Sequence, residues 1–159
     1  MSYLIETKTQ VAAPADFARA FLLDITNRPK ISRTPDGREP EVWWEGQPWQ
    51  PGGAVVTRTS TTKGQSVTAK AQILVPQPGE LFRTVMRKFG LRATVSCSVT
   101  ERGPEESTVS GVLLLEGWAS IFAKLVPPEG ARQFQENLVR SEIELAWLRA
   151  KGSSRRPAE

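Results

Sequence analysis

The stretch Val11-Ala-Ala-Pro14-Ala-Asp16-Phe17-Ala-Arg-Ala-Phe21 decides how this chain of 159 residues begins its fold. It follows a segment, Tyr3 to Gln10, whose side chains alternate between two faces as in a half-buried strand. Pro14 suits the first turn of a helix, because its missing N–H would have no partner there. Asp16 is favourable near the positive end of the helix dipole. The chain is therefore predicted to open with one strand and one short helix.

Further along, Asn27-Arg28-Pro29 ends this helix or begins a second short one, because the residue before a proline avoids helical geometry. Strand patterns then follow one another, separated by short runs rich in Gly and Pro. This spacing favours a meander of antiparallel hairpins. The predicted strands are Glu41 to Glu45, Ala54 to Thr62, Ser66 to Val75, Glu80 to Lys88, Leu91 to Thr100 and Ser107 to Glu116.

The chain closes on an amphipathic helix predicted over Glu129 to Lys151. One buried stripe is expected where apolar residues recur at steps of three or four; its members are Phe134, Leu138, Ser141 or Glu142, Leu145 and Leu148, and it is widened by Val139, Ile143, Ala146 and Trp147. Gly152 is a suitable helix stop, and residues 152–159 read as a disordered basic tail. We therefore expect a single domain over residues 1–151. A long helix across a bent sheet leaves a space between the two, which is the natural place for a ligand.

Composition narrows the function classes. The chain has 21 basic and 17 acidic residues and a net charge of +4, but the basic residues are scattered among acids and form no stripe for nucleic acid. No apolar run is long enough to cross a bilayer, and the N-terminus lacks the pattern of a secretory signal. A single cysteine, Cys97, suits a reducing compartment. We therefore expect a cytoplasmic protein with no nucleic-acid partner and no membrane insertion.

With these elements in order, the chain resembles the START-related SRPBCC superfamily, in particular its polyketide cyclase/dehydrase-like branch. The anchors are Ala13-Pro14-Ala15-Asp16-Phe17, Asp24 with Pro29, and Trp44-Glu-Gly46 with the turn at Gly52-Gly53. Members often place a Trp after the proline of the second helix, whereas this chain has Lys30-Ile31. The resemblance implies an α+β helix-grip fold: a curved antiparallel sheet of about seven strands around a long C-terminal helix, with two short helices after the first strand.

The chain contains no histidine. This excludes a Ser–His–Asp triad, a Cys–His pair and a zinc site built from His and Cys. No phosphate-binding glycine loop occurs either. Glu116, at the end of an apolar strand, is the catalytic candidate, because an acid beside apolar surface suits proton transfer. The alternative is a solvated acid at a strand end.

Ligand-binding candidates come from the aromatic residues, one strand and the closing helix. Only one of Trp43 and Trp44 can face the cavity from a regular strand. A shift of one residue in register would likewise exchange Met86 and Arg87. The candidates are Trp44, Trp49, Met86, Arg87, Trp118, Phe122, Phe134, Leu138 and Glu142.

The resemblance implies a cavity that binds a hydrophobic small molecule, aromatic or polyketide-like. The leading hypothesis is a cyclase, aromatase or dehydratase of secondary metabolism that uses no metal, cofactor or catalytic histidine and acts mainly by orienting its substrate. The alternative is a non-catalytic carrier or sequestering protein for a lipid or metabolite. A third possibility is a protein-interaction module of the stress-cochaperone type. The expected assembly is a monomer or a homodimer.

Overall fold

A computed structural model describes residues 2–88, 90–118 and 129–155 of the chain. Within these residues the strands are β1 (Ser2–Val11), β2 (Glu41–Glu45), β3 (Ala54–Ser60), β4 (Ser66–Leu74), β5 (Phe82–Lys88), β6 (Leu91–Gly103) and β7 (Glu106–Glu116). The helices are α1 (Ala15–Leu23), α2 (Arg28–Ile31) and α3 (Glu129–Arg155), with a 3-10 turn (Ile25–Asn27) between the first two. The predicted helix-grip architecture is confirmed.

All seven strands form one antiparallel sheet in the order β1-β7-β6-β5-β4-β3-β2. Strands β2 to β7 follow one another as the predicted meander, and β1 closes the sheet by pairing with β7 from Ser2 opposite Glu116 to Val11 opposite Ser107. Gly117 ends β7 with a φ of 146°, and a Cβ there would lie 2.6 Å from the Gly90 carbonyl oxygen. A glycine is therefore required where β7 passes the β5–β6 turn.

The short helices form where the opening stretch predicted them. α1 begins directly after Pro14 and buries Ala15, Ala18, Phe21 and Leu22. It ends at Leu23, and the carboxylate of the next residue, Asp24, accepts a hydrogen bond from the Thr26 backbone N–H. This bond and one from the Thr26 hydroxyl hold the pKa of Asp24 below its ordinary value. The capped turn leads into α2, so α1 packs on β6 and β7 while α2 contacts β2 and α3.

Hydrogen-bonded neighbours define the two faces of the sheet. Phe82, Cys97, Gly111 and Thr7 lie side by side on four adjacent strands. Phe82 and Cys97 belong to the buried core together with residues of α1 and α3. We call the face that carries this row the inner face, because α3 covers it, and the opposite side the outer face.

α3 packs on the inner face through the residues predicted to widen its buried stripe, and not through the leucines near its end. Ile143 is fully buried, with Val139, Ala146 and Trp147 packed around the same core. Leu145 and Leu148 are 43% and 62% exposed, so the predicted stripe was wrong there. Each residue turns about 100° around a helix, so these two leucines lie on roughly the opposite side of α3 from Ile143.

The same helix continues through Gly152 to Arg155, past the predicted end at Lys151. Glycine is poor in a helix interior but does not by itself stop one. None of the helices within the described residues combines the length and apolar character that crossing a bilayer requires.

Candidate ligand-binding cavity

A cavity of about 240 Å³ lies between the first turns of α3 and the inner face of β1, β6 and β7. Three apolar side chains, Ile5, Val95 and Leu113, provide most of its walls, and α3 contributes polar groups on the other side. The lining residues are Ile5, Thr7, Val95, Gly111, Val112, Leu113, Arg132 and Gln135.

Gly111 leaves the room for this cavity. It lies on the inner face of β7 between Val109 and Leu113, where a regular strand would place a side chain. A Cβ at Gly111 would be only 2.8 Å from Thr7 Oγ1, on the neighbouring strand. A glycine inside a strand often marks a place where another group approaches the backbone closely. Here the missing side chain opens space beneath α3.

Arg132 brings a charged group to the cavity from the first turn of α3. Its Nε is buried and has no hydrogen-bond acceptor among the residues that the structure describes. Gln135, one turn further on, adds an amide to the lining, and Thr7 adds a hydroxyl from β1, which donates weakly to the Gly111 carbonyl at 3.4 Å. The cavity is thus apolar at its base and polar beneath the helix.

A second pocket, of about 270 Å³, lies between α2 and α3, and Gln135 borders both spaces. The predicted ligand residues Phe134 and Leu138 line this second pocket and not the cavity. The predicted Glu142 lies on the same side of α3, where its carboxylate accepts a hydrogen bond from Arg33 Nη2, two residues after the end of α2. Glu142 therefore ties α3 to the segment that follows α2 and is not a free acid.

Trp44 and Trp49 belong to an aromatic cluster with Phe82 and do not line the cavity. Trp44 meets Trp49 edge-on, with ring centroids 4.9 Å apart, and Trp49 stacks on Phe82 at 4.8 Å. Trp49 has a φ of 55° and donates from its indole N–H to the Leu23 carbonyl at 2.7 Å. Of the adjacent pair, Trp44 therefore takes the inner side, while Trp43 lies on the outer side beside the Arg58 guanidinium. The cluster forms part of the core.

A buried arginine completes this cluster. The Arg28 guanidinium lies 4.8 Å from the Phe82 ring and 5.3 Å from the Trp49 ring. Its Nε and one terminal nitrogen have no acceptor among the described residues, and burial lowers the pKa of Arg28. Burial also raises the pKa of the nearby Cys97 thiol to about 11, partly offset by the charge of Arg28. Cys97 is a neutral core thiol at physiological pH.

The structure places the catalytic candidate, Glu116, away from the cavity. Glu116 is paired with Ser2 and Arg92 and follows Leu115, which is on the inner face and 3% exposed. Because successive side chains of a strand alternate, the Glu116 carboxylate lies on the outer face. A ligand in the cavity would not contact it.

The alternation also separates Met86 from Arg87. Met86 shares the inner face with Phe82 but is 38% exposed. Arg87 lies on the outer face, where it donates to Gln72 Oε1 at 3.2 Å. Trp118 is 74% exposed just after β7, and Phe122 lies outside the described residues. None of the described three lines the cavity.

Three residues that matter here were missing from the sequence-based candidates. Gly111 carried a recognisable signal, a single glycine within an apolar strand. Arg132 and Arg28 carried none, because an arginine near a helix end is most often solvated. Their importance depends on burial and on missing partners, which only the three-dimensional structure shows.

Comparison with known proteins identifies the fold. No protein-family model matches the chain, and no curated protein matches its sequence. Among solved structures, norcoclaurine synthase from Thalictrum flavum in complex with dopamine and hydroxybenzaldehyde matches with a TM-score of 0.63 at 10% identity, over 90% of this chain and 87% of that chain. A START superfamily protein from Mycobacterium smegmatis matches with a TM-score of 0.55 at 14% identity, over 92% of this chain and 98% of that chain. A protein from Chromobacterium violaceum matches with a TM-score of 0.67 at 20% identity, over 89% of this chain and 97% of that chain.

These similarities extend over nearly the whole of each chain, and they agree with the strand order and the position of α3. The protein therefore has the START-related, Bet v1-like helix-grip fold that its resemblance to the SRPBCC superfamily predicted.

Proposed function

We propose that this protein binds a small hydrophobic molecule, aromatic in character, between α3 and the sheet. The supporting observation is the cavity of about 240 Å³ beneath Arg132 and Gln135, with Ile5, Val95 and Leu113 as its apolar walls. Ligand sites are typically concave and mostly apolar, with a few polar groups that orient the ligand. The cavity has this composition.

The lining suits binding and orientation better than proton transfer. Among the described residues that line the cavity, Arg132 has the one ionisable side chain, and a guanidinium offers N–H donors but no hydrogen-bond acceptor. The hydroxyl of Thr7 and the amide of Gln135 can hold a ligand but are poor acids and bases. A carrier or sequestering role is therefore our leading proposal.

A cyclase-type enzyme is the second candidate, favoured by the structural match to norcoclaurine synthase, which was solved with dopamine and hydroxybenzaldehyde. Such an enzyme could act by holding reactive groups in a productive geometry, since orientation alone can supply a large part of a barrier. Catalysis in this cavity would depend on positioning by Arg132, Gln135 and Thr7, and not on Glu116.

A reducing compartment such as the cytoplasm is the location we propose. Cys97 is a buried free thiol, and disulfide-free chains are typical of reducing compartments.

The proposal is tested with a neutral aromatic probe, 2-naphthol, titrated into isotope-labelled protein and followed by amide chemical shifts. Val95→Phe should fill the cavity and abolish binding. Val67→Phe is the matched control, because Val67 is 51% exposed and does not line the cavity. The proposal is supported if the wild type and Val67→Phe bind the probe and Val95→Phe does not. Equal binding by a folded Val95→Phe variant would show that the cavity is not the site.

Native mass spectrometry of the purified protein separates the two candidate roles. A retained small molecule, lost on denaturation, favours a carrier. Turnover of a molecule that leaves an empty protein favours an enzyme.

A further inference from the structure

The cavity is lined by a charged side chain, Arg132, whose Nε finds no acceptor within the described part of the chain. This nitrogen is buried beside Ile5, Val95 and Leu113. A buried donor without a partner destabilises a protein, and native structures rarely keep one without a reason. Elsewhere on the same helix the structure does pair its charges, as with Glu142 and Arg33. The unpaired nitrogen of Arg132 therefore points to a ligand.

We propose that the cavity binds a small aromatic acid, whose carboxylate accepts hydrogen bonds from the Arg132 guanidinium while its ring contacts the apolar walls. This inference rests on the proposed function and specifies the class of ligand. A guanidinium presents several N–H donors in a planar fork that matches a carboxylate. Arg132 is also in the first turn of α3, where the helix dipole favours a negative charge.

The size of the cavity limits the ligand. A dry apolar cavity of roughly 150 Å³ accommodates benzene. A cavity of about 240 Å³ therefore has space for one aromatic ring with a short acidic chain. Val95 and Leu113 lie on the sheet side and Arg132 on the helix side, so the ring and the carboxylate of one such molecule can reach their partners together.

The other unpaired arginine does not offer the same site. Arg28 faces the rings of Phe82 and Trp49 at 4.8 and 5.3 Å, so its charge is covered by aromatic surface. Arg132 instead lines the cavity. The difference identifies Arg132 as the unpaired arginine that adjoins a space for a ligand.

The test compares two probes of the same shape, 3-phenylpropanoate and its neutral amide, 3-phenylpropanamide. Wild-type protein should bind the acid at least about tenfold more tightly, since a hydrogen bond to a charged group exceeds one between neutral groups by that order. Arg132→Gln should abolish this preference and leave amide binding unchanged, whereas Arg132→Lys should keep part of it. Arg149→Gln, an exposed change on the same helix, is the matched control and should behave as the wild type.

Amide chemical shifts of Ile5, Gly111 and Leu113 report whether each probe occupies the cavity, and thermal unfolding confirms that each variant is folded. Equal affinity for acid and amide in the wild type, or an unchanged preference in Arg132→Gln, would overturn the acid site while the proposed cavity stands. If neither probe shifts these amides in the wild type, the proposed function fails and the acid site fails with it.

Discussion

The two ends of the inner face have opposite characters, although the same strands and the same helix build both. At one end, which we call the packed end, α1 and the later turns of α3 meet the sheet around Val99, Val109 and Ile143. At the other, the hollow end, Val95, Gly111 and Leu113 face the first turns of α3 across the cavity. Along β7 the change occurs within two residues, from Val109 to Gly111.

Two local differences account for this contrast. α1 fills the packed end, where the Phe17 and Trp147 rings meet at 5.1 Å. At the hollow end α3 offers long polar side chains, Arg132 and Gln135, and β7 offers no side chain at Gly111. One sheet can thus carry both a packed core and a cavity when a single position, here Gly111, lacks a side chain. The predictions below test this contrast in order of decreasing effect.

The largest effect is expected from Ile143→Ala at the packed end. Ile143 is fully buried, and removing its side chain should lower the free energy of unfolding by about 3 kcal/mol through lost burial and a new cavity. Leu148→Ala, at a position 62% exposed on the same helix, should change it by less than about 0.5 kcal/mol. Urea unfolding of both variants provides the measurement. Similar losses in the two would mean that α3 does not pack as described.

A matched pair of enlargements compares the two ends directly. Val99→Phe inserts a ring into a close-packed core and should destabilise the protein by about 1–3 kcal/mol. Val95→Phe directs the same ring into existing space and should lower stability by less than half as much. Both are measured by urea unfolding. Equal destabilisation would show that the hollow end has no room for a ring.

The stability of the protein is expected to depend on pH through Glu80 and Arg83, near the packed end. Arg83 Nη2 lies 2.8 Å from Glu80 Oε2. The hydrogen bonds from Arg83 lower the pKa of Glu80 from 4.5 to about 2. A depressed pKa means that the folded state favours the carboxylate. The pair therefore contributes stability above about pH 4.5, and this contribution is lost as the pH falls towards 2.

Glu80→Gln tests the assignment. The variant should be less stable at pH 7 by about 1 kcal/mol, and its stability should fall less steeply than that of the wild type between pH 4.5 and 2. Thermal unfolding across this range measures both. Parallel pH profiles would assign the acid sensitivity to other carboxylates.

The smallest effect is expected from Glu116→Gln. Because the Glu116 carboxylate lies on the outer face, this change should leave both ligand affinity and any turnover within error of the wild type. Isothermal titration with 2-naphthol, and a turnover assay once a substrate is known, provide the comparison. A marked loss of ligand affinity or turnover in a folded variant would show that Glu116 acts at the site and would contradict its assignment to the outer face.

Sequence reasoning predicted the architecture because the fold depends on repeated signals. The alternation of Val95, Cys97 and Val99 and the proline-led opening of α1 each extend over several residues, and errors at one position do not change the result. The helix stripe was less well predicted, since Leu145 and Leu148 satisfy the same spacing as Ile143 and Ala146.

The candidate site was predicted less well, because it depends on single residues in three dimensions. Met86 and Arg87 are adjacent in the chain, and only the pairing of β5 with β6 assigns them to opposite faces. Phe134 and Leu138 reach a pocket beside α2 that the sequence did not predict. No periodic pattern distinguishes Arg132 from a solvated arginine, since its unpaired nitrogen depends on residues distant in the chain.

The pairing of β1 with β7 has a consequence for how the molecule is made. Residues that pair across this seam are separated by about a hundred positions, so closing it carries a larger entropic cost than forming any hairpin of the meander. During synthesis β1 is made before the other six strands, yet within the described sheet it pairs with β7, which is made after them. β1 therefore remains unpaired while the rest of the sheet is assembled. The cavity, which needs Ile5 and Thr7 from that strand, is completed only when it docks.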